Sequence, residues 1–206
     1  MERIPDCTGV ILAGGQATRL GGVAKGLLQS GPATLAARTL ALFGELFGRA
    51  LVVANDPAPY LPFAVPVVPD RIPGKGAPGG LHAALASADT GWIFVVGCDM
   101  PLLDGSAIRF LWDRRGERAA AVEWVRGFEG LHAFWSKGCL AAVERMLAEG
   151  DPSLRAIAQA VGARILPAEE WRTVDPEGRS FENANTVADL RRLGLEVPGG
   201  PGRRAR

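Results

Sequence analysis

Apolar residues are grouped along the chain in short runs that alternate with amphipathic segments, and this pattern predicts the secondary structure. Short apolar runs lie at residues 92–96 and, apart from Thr8, at residues 8–13; such runs are typical of strands buried on both faces of a sheet. Residues 32–47 place apolar side chains at helical spacing, which predicts a helix with a broad buried face. The order strand, helix, strand, strand, helix, strand in the first half indicates an open, mostly parallel α/β sheet flanked by helices.

The remaining elements are predicted from shorter runs and from capping residues. Strands are predicted at residues 50–54, 65–68, 119–125, 131–135 and 163–167, and helices at 81–88, 104–115, 136–149, from 151 onward and after 186. Asp104 is a candidate N-cap, and Thr186 with Asp189 resembles a capping box. Because neither an internal repeat nor a linker is visible, residues 1–195 are predicted to form a single domain. Residues 196–206 are rich in Gly, Pro and Arg, which predicts a flexible tail.

Composition and charge limit the functional classes. The 206 residues carry a net charge of +1, which leaves no electrostatic footprint for nucleic acid or a membrane surface. No signal-peptide pattern and no apolar run long enough to cross a bilayer occurs. Three widely spaced cysteines, Cys7, Cys98 and Cys139, fit neither a disulfide framework nor a zinc ligand set. We therefore expect a cytoplasmic protein that binds neither nucleic acid nor membranes.

The loop after the first strand carries the strongest chemical signal. It contains Gly14, Gly15, Arg19 and Lys25, together with two further glycines. Glycines allow backbone N–H groups to approach an anion closely, and the basic side chains add the charge that polyphosphate binding needs. The loop is not a Walker A motif, because Lys25 is followed by Gly26 rather than Ser or Thr. A plain strand-to-helix turn is the alternative interpretation.

Two aspartates follow other predicted strands. Asp99 comes directly after the fourth strand, where a carboxylate can bind a partly hydrated Mg²⁺, although a turn before Pro101 would also explain it. Asp70 follows the third strand; it could accept hydrogen bonds from ribose hydroxyls or base N–H groups, or pair with Arg71. Ligands of open α/β sheets bind outside the carboxyl ends of the strands. We therefore expect the glycine loop, Asp70 and Asp99 to converge there.

Three asparagines add to this set. Asn183 and Asn185 are two residues apart, so both can face one way on an extended segment. Their amides could bind a metal, water or phosphate, or they could cap the last helix. Asn55 follows the second predicted strand and is a further candidate binding residue. The two histidines, His82 and His132, are isolated from any serine or cysteine nucleophile and are interpreted as structural.

These motifs resemble those of the molybdenum cofactor guanylyltransferases. The resemblance covers roughly residues 8–193, and its motifs are Leu12-Ala13-Gly14-Gly15, Arg19, Gly21-Gly22, Lys25-Gly26-Leu27-Leu28, Gly97-Cys98-Asp99-Met100-Pro101 and Asn183-Ala184-Asn185-Thr186. The Ala13-Gly14-Gly15 form favours this family over the related cytidylyltransferases, which usually have Ala-Ala-Gly. The resemblance implies a Rossmann-like nucleotidyltransferase fold and, with Mg²⁺, transfer of GMP from GTP to the phosphate of molybdenum-molybdopterin, with release of pyrophosphate.

The resemblance also implies roles for individual residues. Leu12, Ala13 and Gly14, with Gly15 beside them, would hold the guanine and ribose. Lys25 would hold the triphosphate, and Asp70 would contact the nucleoside. Asp99 would bind both GTP and Mg²⁺. Asn183 and Asn185 would lie near the metal or the pterin phosphate. Catalysis would come from Arg19, Lys25 and Asp99, and proteins of molybdoenzyme maturation are candidate partners.

The chain departs from the motifs of that family at three places. Ala24 stands where the family commonly has Asp, residues 76–80 replace its Gly-Pro-Leu-x-Gly loop, and Gly130 replaces a frequent proline.

Two rival functions remain. One rival is another nucleotidyltransferase of this fold, acting on CTP or activating a sugar phosphate or phospholactate. The other is a non-catalytic nucleotide-binding protein that delivers the cofactor. Nucleotide preference and pyrophosphate release separate the three.

Overall fold

A twisted sheet forms the centre of the protein, with helices on both faces. The computed structural model describes residues 2–14 and 24–198. The strands are β1 Cys7–Leu12, β2 Gln29–Ser30, β3 Ala33–Thr34, β4 Ala50–Val53, β5 Val67–Val68, β6 Trp92–Gly97, β7 Ala119–Trp124, β8 Gly127–Phe128, β9 His132–Ser136 and β10 Arg164–Pro167. The helices are α1 Leu35–Leu46, α2 Gly76–Ser87, α3 Gly105–Asp113, α4 Leu140–Glu149, α5 Leu154–Ala160, α6 Ala168–Trp171 and α7 Val187–Leu193.

Within the described residues the main sheet has the order β10-β7-β9-β6-β1-β4-β5, with β8 paired to β7. Strand β1 is parallel to β4 and β6, and β4 is parallel to β5. Strand β9 is antiparallel to both β6 and β7, so the predicted pair of late strands enters the middle of the sheet. The open, mostly parallel α/β sheet that the sequence predicts is therefore confirmed.

The register of the central strands brings their carboxyl ends to one level. Leu12, the last residue of β1, lies opposite Val53 of β4 and Gly97 of β6. All six residues of β1 are buried, as expected for a strand covered on both faces. The chain segments that follow β1, β4 and β6 consequently leave the sheet at the same edge.

The two faces of the sheet have different cores. One face packs aromatic side chains from α1, β6, β9 and α6, including Phe43, Phe94, Phe134 and Trp171. The other packs small and aliphatic side chains under α2, α4 and α5, including Leu81, Leu85 and Val143. Alanines at residues 83 and 84 let α2 lie close to the sheet, and the first turn of α2 is thereby placed at the carboxyl edge.

Several helix starts differ from the sequence prediction. Helix α1 begins at Leu35, not residue 32, because β2 and β3 form a tight hairpin and Thr34 caps the helix through Ala37 N. Helix α2 begins at Gly76, so part of the predicted glycine loop at 74–80 is helical. Helix α5 begins after Ser153, whose hydroxyl accepts from Ala156 N, rather than at residue 151.

The two capping predictions are confirmed. Asp104 caps α3 by accepting from Ala107 N at 2.8 Å. The capping box of α7 forms between Thr186 and Asp189. At the predicted tail, the backbone of Glu196 exchanges two hydrogen bonds with Gln29, of 2.7 and 3.0 Å, while residues 199–206 lie outside the described part. No helix in the described part is both long and apolar enough to cross a bilayer.

Both histidines lie within the folded core. His132 is completely buried against the rings of Phe94, Trp171 and Phe181, with centroid separations of 5.0–5.4 Å. Its burial lowers its pKa to about 4, so the imidazole is neutral. His82 of α2 contacts Glu144 of α4 at 3.2 Å.

Candidate active site

A pocket of about 270 Å³ opens at the carboxyl edge of the parallel strands. It gathers six of the residues predicted from the sequence, namely Leu12, Gly14, Lys25, Asn55, Asp70 and Asp99. They come from segments that are widely separated along the chain, and the aligned strand ends explain why they meet. The predicted convergence is therefore observed for Asp70, Asp99 and the described ends of the glycine loop, Gly14 and Lys25, and Leu12 and Asn55 lie with them.

Two predicted residues, Ala13 and Asn183, take other positions. Gly15 and Arg19 lie outside the described residues. Ala13 donates its backbone N–H to the carbonyl of Val53 at 2.8 Å, and its side chain packs against the aromatic core. Its neighbours in sequence, Leu12 and Gly14, line the pocket. Asn183 lines a neighbouring pocket instead.

Lys25, Asp99 and Asn185 form a polar cluster on one side of the pocket. Lys25 begins a short 3-10 helix, and its Nζ lies 2.9 Å from Oδ2 of Asp99. The same Nζ donates to Oδ1 of Asn185. The backbone N–H of Ala184 donates to the carbonyl of Asp99 at 2.8 Å, which brings the 183–185 segment to this place. The ion pair is accessible from the pocket, with side-chain exposures of 24% and 17%.

The carboxylate of Asp99 fits a hydrated cation better than a fully enclosed one. The lining of the pocket includes the carboxylates of Asp70 and Asp99, and the described residues contain no cluster of three or more His, Cys, Asp or Glu side chains that would enclose a metal. Mg²⁺ in phosphoryl sites commonly uses one or two carboxylates together with phosphate oxygens and water. A Cβ on Gly97 would lie 2.7 Å from Oδ1 of Asp99, so glycine there leaves room for the carboxylate.

Asn55 and Asp70 form a reciprocal pair on the opposite side. Nδ2 of Asn55 donates to Oδ2 of Asp70 at 3.0 Å, and the backbone N–H of Asp70 donates to Oδ1 of Asn55 at 2.9 Å. Asn55 follows β4 and Asp70 follows β5, so two neighbouring parallel strands supply the pair. Both functional atoms of the Asn55 amide are used, which fixes the Asp70 carboxylate at the pocket.

The first turn of α2 was missed as a part of the site. Gly76, Ala77 and Gly80 line the pocket, and a Cβ on Gly80 would lie 3.1 Å from the side chain of Leu12. The N-terminus of this twelve-residue helix can present the backbone N–H groups of Gly76 and Ala77 and a partial positive charge to an anion, since Pro78 has no N–H and the Gly79 N–H donates to the carbonyl of Lys75. In the sequence, Pro78 is the signal for this helix start, because proline is tolerated in the first turn of a helix.

Two neighbouring side chains have structural roles. Lys75 donates to the carbonyl of Gly150 at 2.9 Å and pairs with Asp151 at 2.6 Å, which ties the start of α2 to the loop before α5. Burial raises the pKa of Cys98 to about 12, so its thiol is neutral beside Asp99 and is not a thiolate nucleophile.

Comparison with known proteins gives a consistent result. Residues 9–165 match the family model of the MobA-like NTP transferase domain. The chain is 30% identical to the molybdenum cofactor guanylyltransferase of Desulfosudis oleivorans, over 94% of this chain and 96% of that protein. It is 31% identical to the enzyme of the same name from Syntrophotalea carbinolica, over 92% and 91% of the two chains.

Solved structures agree on the fold. Molybdopterin-guanine dinucleotide biosynthesis protein A from Archaeoglobus fulgidus superimposes with a TM-score of 0.71 at 22% identity, covering 90% of this chain and 96% of that one. The 2-C-methyl-D-erythritol 4-phosphate cytidylyltransferase of Thermus thermophilus gives 0.61 at 15% identity, with 89% and 95% covered. Because enzymes with different nucleotides and acceptors share this fold, backbone similarity does not select the substrate.

Proposed function

The chain belongs to the MobA-like NTP transferase family, and on that premise we propose that it transfers GMP from GTP to the phosphate of molybdenum-molybdopterin, releasing pyrophosphate. Similarity to named guanylyltransferases extends over almost the whole chain. The structural observation that carries the proposal is the juxtaposition of Lys25, Asp99 and Asn185 at the mouth of the carboxyl-edge pocket. A cation, a metal-binding carboxylate and an amide in one place suit a reaction between two phosphates.

The nucleoside end of GTP is proposed to lie beside Asn55 and Asp70. Their mutual hydrogen bonds leave the outward lone pairs of the Asp70 carboxylate to accept from ribose hydroxyls or guanine N–H groups. Leu12 and Val53 give this end an apolar wall. A preorganised acceptor is favourable, because the ordering cost is already met before the nucleotide binds.

The triphosphate is proposed to lie between Lys25 and the start of α2. Lys25 supplies a full positive charge, and the first-turn N–H groups of α2 supply oriented dipoles. Arg19 and the Gly14-Gly15 turn join them by the family resemblance. Asp99 would hold Mg²⁺, which contributes further positive charge against the phosphates when it is bound.

The reaction is then an in-line displacement at the α-phosphorus. An oxygen of the pterin phosphate forms the new P–O bond, the bond to the bridging oxygen of the β-phosphate breaks, and its electron pair leaves with pyrophosphate. The attacking phosphate is already an anion, so no strong general base is required. The main barrier is to bring two anions together, and Lys25, Arg19 and the α2 amides lower it by neutralisation and alignment.

Two further proposals concern the cellular setting. The three cysteines are free thiols in the structure, which suits a reducing cytoplasm. Proteins of molybdoenzyme maturation are proposed partners, because the dinucleotide product must be transferred to apoenzymes.

The decisive assay combines the protein with molybdenum-molybdopterin, Mg²⁺ and one nucleotide at a time. We expect the dinucleotide and pyrophosphate in equal amounts with GTP, and little product with CTP, ATP or UTP. Preference for CTP would replace the proposal with the cytidylyl reaction. Tight GTP binding without pyrophosphate release would replace it with a cofactor-delivery role.

A further inference from the structure

A second cavity adjoins the nucleotide pocket and contains a carboxylate that the proposed reaction does not use. Its volume is about 490 Å³, and it shares Ala77 and Leu131 with the nucleotide pocket. Asn183 lines this cavity, while Asn185, two residues on, accepts from Lys25. The short 183–185 segment therefore runs from the second cavity to the cluster where phosphate transfer is proposed.

Glu129 is the unpaired carboxylate of this cavity. Two arginines lie near it, but each is held by a different acid: Arg155 pairs with Glu123 at 2.7 Å, and Arg126 pairs with Glu182 at 2.6 Å. Among the described residues no side chain forms a salt bridge or hydrogen bond with the Glu129 carboxylate. Burial consequently dominates and raises the pKa of Glu129 to about 7. A half-buried carboxylate that lacks a partner has capacity to accept hydrogen bonds from a ligand.

The backbone around Glu129 is held firmly. Its N–H donates to the carbonyl of Val122 at 2.9 Å, and its carbonyl accepts from His132 N at 3.3 Å. The cavity wall beside it is apolar and closely packed: a Cβ on Gly130 would lie 2.7 Å from the ring of Phe128 and 2.9 Å from Cβ of Leu154. Phe128 and Leu154 thus close over Gly130, and a larger residue there would require both side chains to shift.

We propose that Glu129 binds the pterin ring of the acceptor by accepting hydrogen bonds from the adjacent N–H groups of its 2-amino-4-oxopyrimidine edge. This inference rests on the proposed function, since it takes molybdopterin to be the acceptor. A carboxylate with two oxygens matches two neighbouring N–H donors as a bidentate acceptor. The ring then lies against Phe128 and Leu154, and the phosphate extends along Asn183 toward Asn185 and Lys25.

Guanine presents the same arrangement of N–H donors, so the chemistry alone admits two ligands. Asp70 already offers a positioned carboxylate in the nucleotide pocket, and Glu129 lies in the other cavity. This separation assigns Glu129 to the acceptor. The two possible ligands of Glu129, guanine and the pterin ring, can also be distinguished by experiment, because the affinity for each substrate can be measured separately.

The kinetic test uses Glu129→Gln, which keeps the shape of the side chain but replaces one acceptor oxygen by a donor. We expect the KM for molybdenum-molybdopterin to rise on the order of 10- to 100-fold, the effect of losing a hydrogen bond to a charged group, with GTP binding unchanged. Glu149→Gln removes an exposed carboxylate at the end of α4 and serves as the matched control. An unchanged acceptor KM, or a loss confined to GTP, would overturn the assignment.

A binding test separates this inference from the reaction itself. The fluorescence of 6-hydroxymethylpterin and of 6-hydroxymethyllumazine, which carries an oxo group in place of the 2-amino group, is titrated with the protein. The wild-type protein should bind the pterin more tightly, and Glu129→Gln should lose that preference. Equal preference in both proteins would contradict the role of Glu129 even if dinucleotide synthesis succeeds. If the wild-type protein binds pterin selectively yet forms no dinucleotide, the proposed reaction fails and the ring site stands.

Discussion

The proposed nucleotide side and the proposed acceptor side of the site are built in different ways. On the nucleotide side, Asn55, Asp70 and Asp99 follow parallel strands β4, β5 and β6 at one edge of the sheet. On the acceptor side, Glu129 lies in the connection before the antiparallel strand β9, and Asn183 lies in an extended segment after α6. The carboxyl ends of adjacent parallel strands always lie at the same edge of a sheet. Glu129 and Asn183, in contrast, are brought together only by tertiary packing.

This difference explains why the sequence predicts that Asp70 and Asp99 lie together but does not indicate Glu129. The buried runs of β1 and β6 predict a parallel sheet, and the carboxyl-end rule then places Asp99 and Asp70 together without a structure. Glu129 gave no local signal, because its importance depends on which arginines are already paired with other acids. Likewise, the glycines at 76 and 80 favoured a loop, while packing of the alanine-rich face of α2 on the sheet extended the helix to Gly76.

The largest expected effect is on the transfer step itself. Asp99→Asn should lower kcat by on the order of 10²–10³, the scale for removing one electrostatic group from a reacting centre. The measurement is pyrophosphate release at saturating GTP, Mg²⁺ and molybdenum-molybdopterin. Asp113→Asn, at the exposed end of α3, is the control and should keep its rate. Near-normal turnover of a folded Asp99→Asn variant would remove Asp99 from the catalytic set.

Lys25 is expected to act with Asp99 rather than independently. Lys25→Met should also reduce kcat by on the order of 10². Because the two side chains are in contact at 2.9 Å and would both act on the same phosphates, the double variant should lose much less than the product of the single losses. Fully multiplicative losses would show that the two residues act independently.

The buried His132, which packs among the rings of the aromatic core, gives a stability test. The pKa of His132 is lowered to about 4 from an ordinary value of 6.5, so the unfolded chain binds the proton first as pH falls. Stability is therefore lost between pH 6.5 and about 4, by at most about 3 kcal/mol. Denaturant unfolding of the wild-type protein and of His132→Leu should show this loss only in the wild type. Parallel pH curves would contradict it.

Substitution of Asn55 or Asn183 should have a smaller effect, confined to the KM of one substrate. Asn55→Ala removes both hydrogen bonds that position Asp70, so the KM for GTP should rise about 10-fold while the acceptor KM stays constant. Asn183→Ala should affect the acceptor alone. Steady-state kinetics with each substrate varied in turn provide the measurement. If either variant raised both KM values equally, the division into a nucleotide side and an acceptor side would be wrong.

GTP is proposed to bridge the Asn55–Asp70 pair and the Lys25–Asp99–Asn185 cluster. A crystal structure with a non-hydrolysable GTP analogue and Mg²⁺ tests this placement directly. We expect the nucleoside against Asp70, the metal on Asp99, and the Lys25 ammonium turned toward the phosphates. Nucleotide bound elsewhere, or bound with the Lys25–Asp99 pair intact and no metal on Asp99, would contradict it.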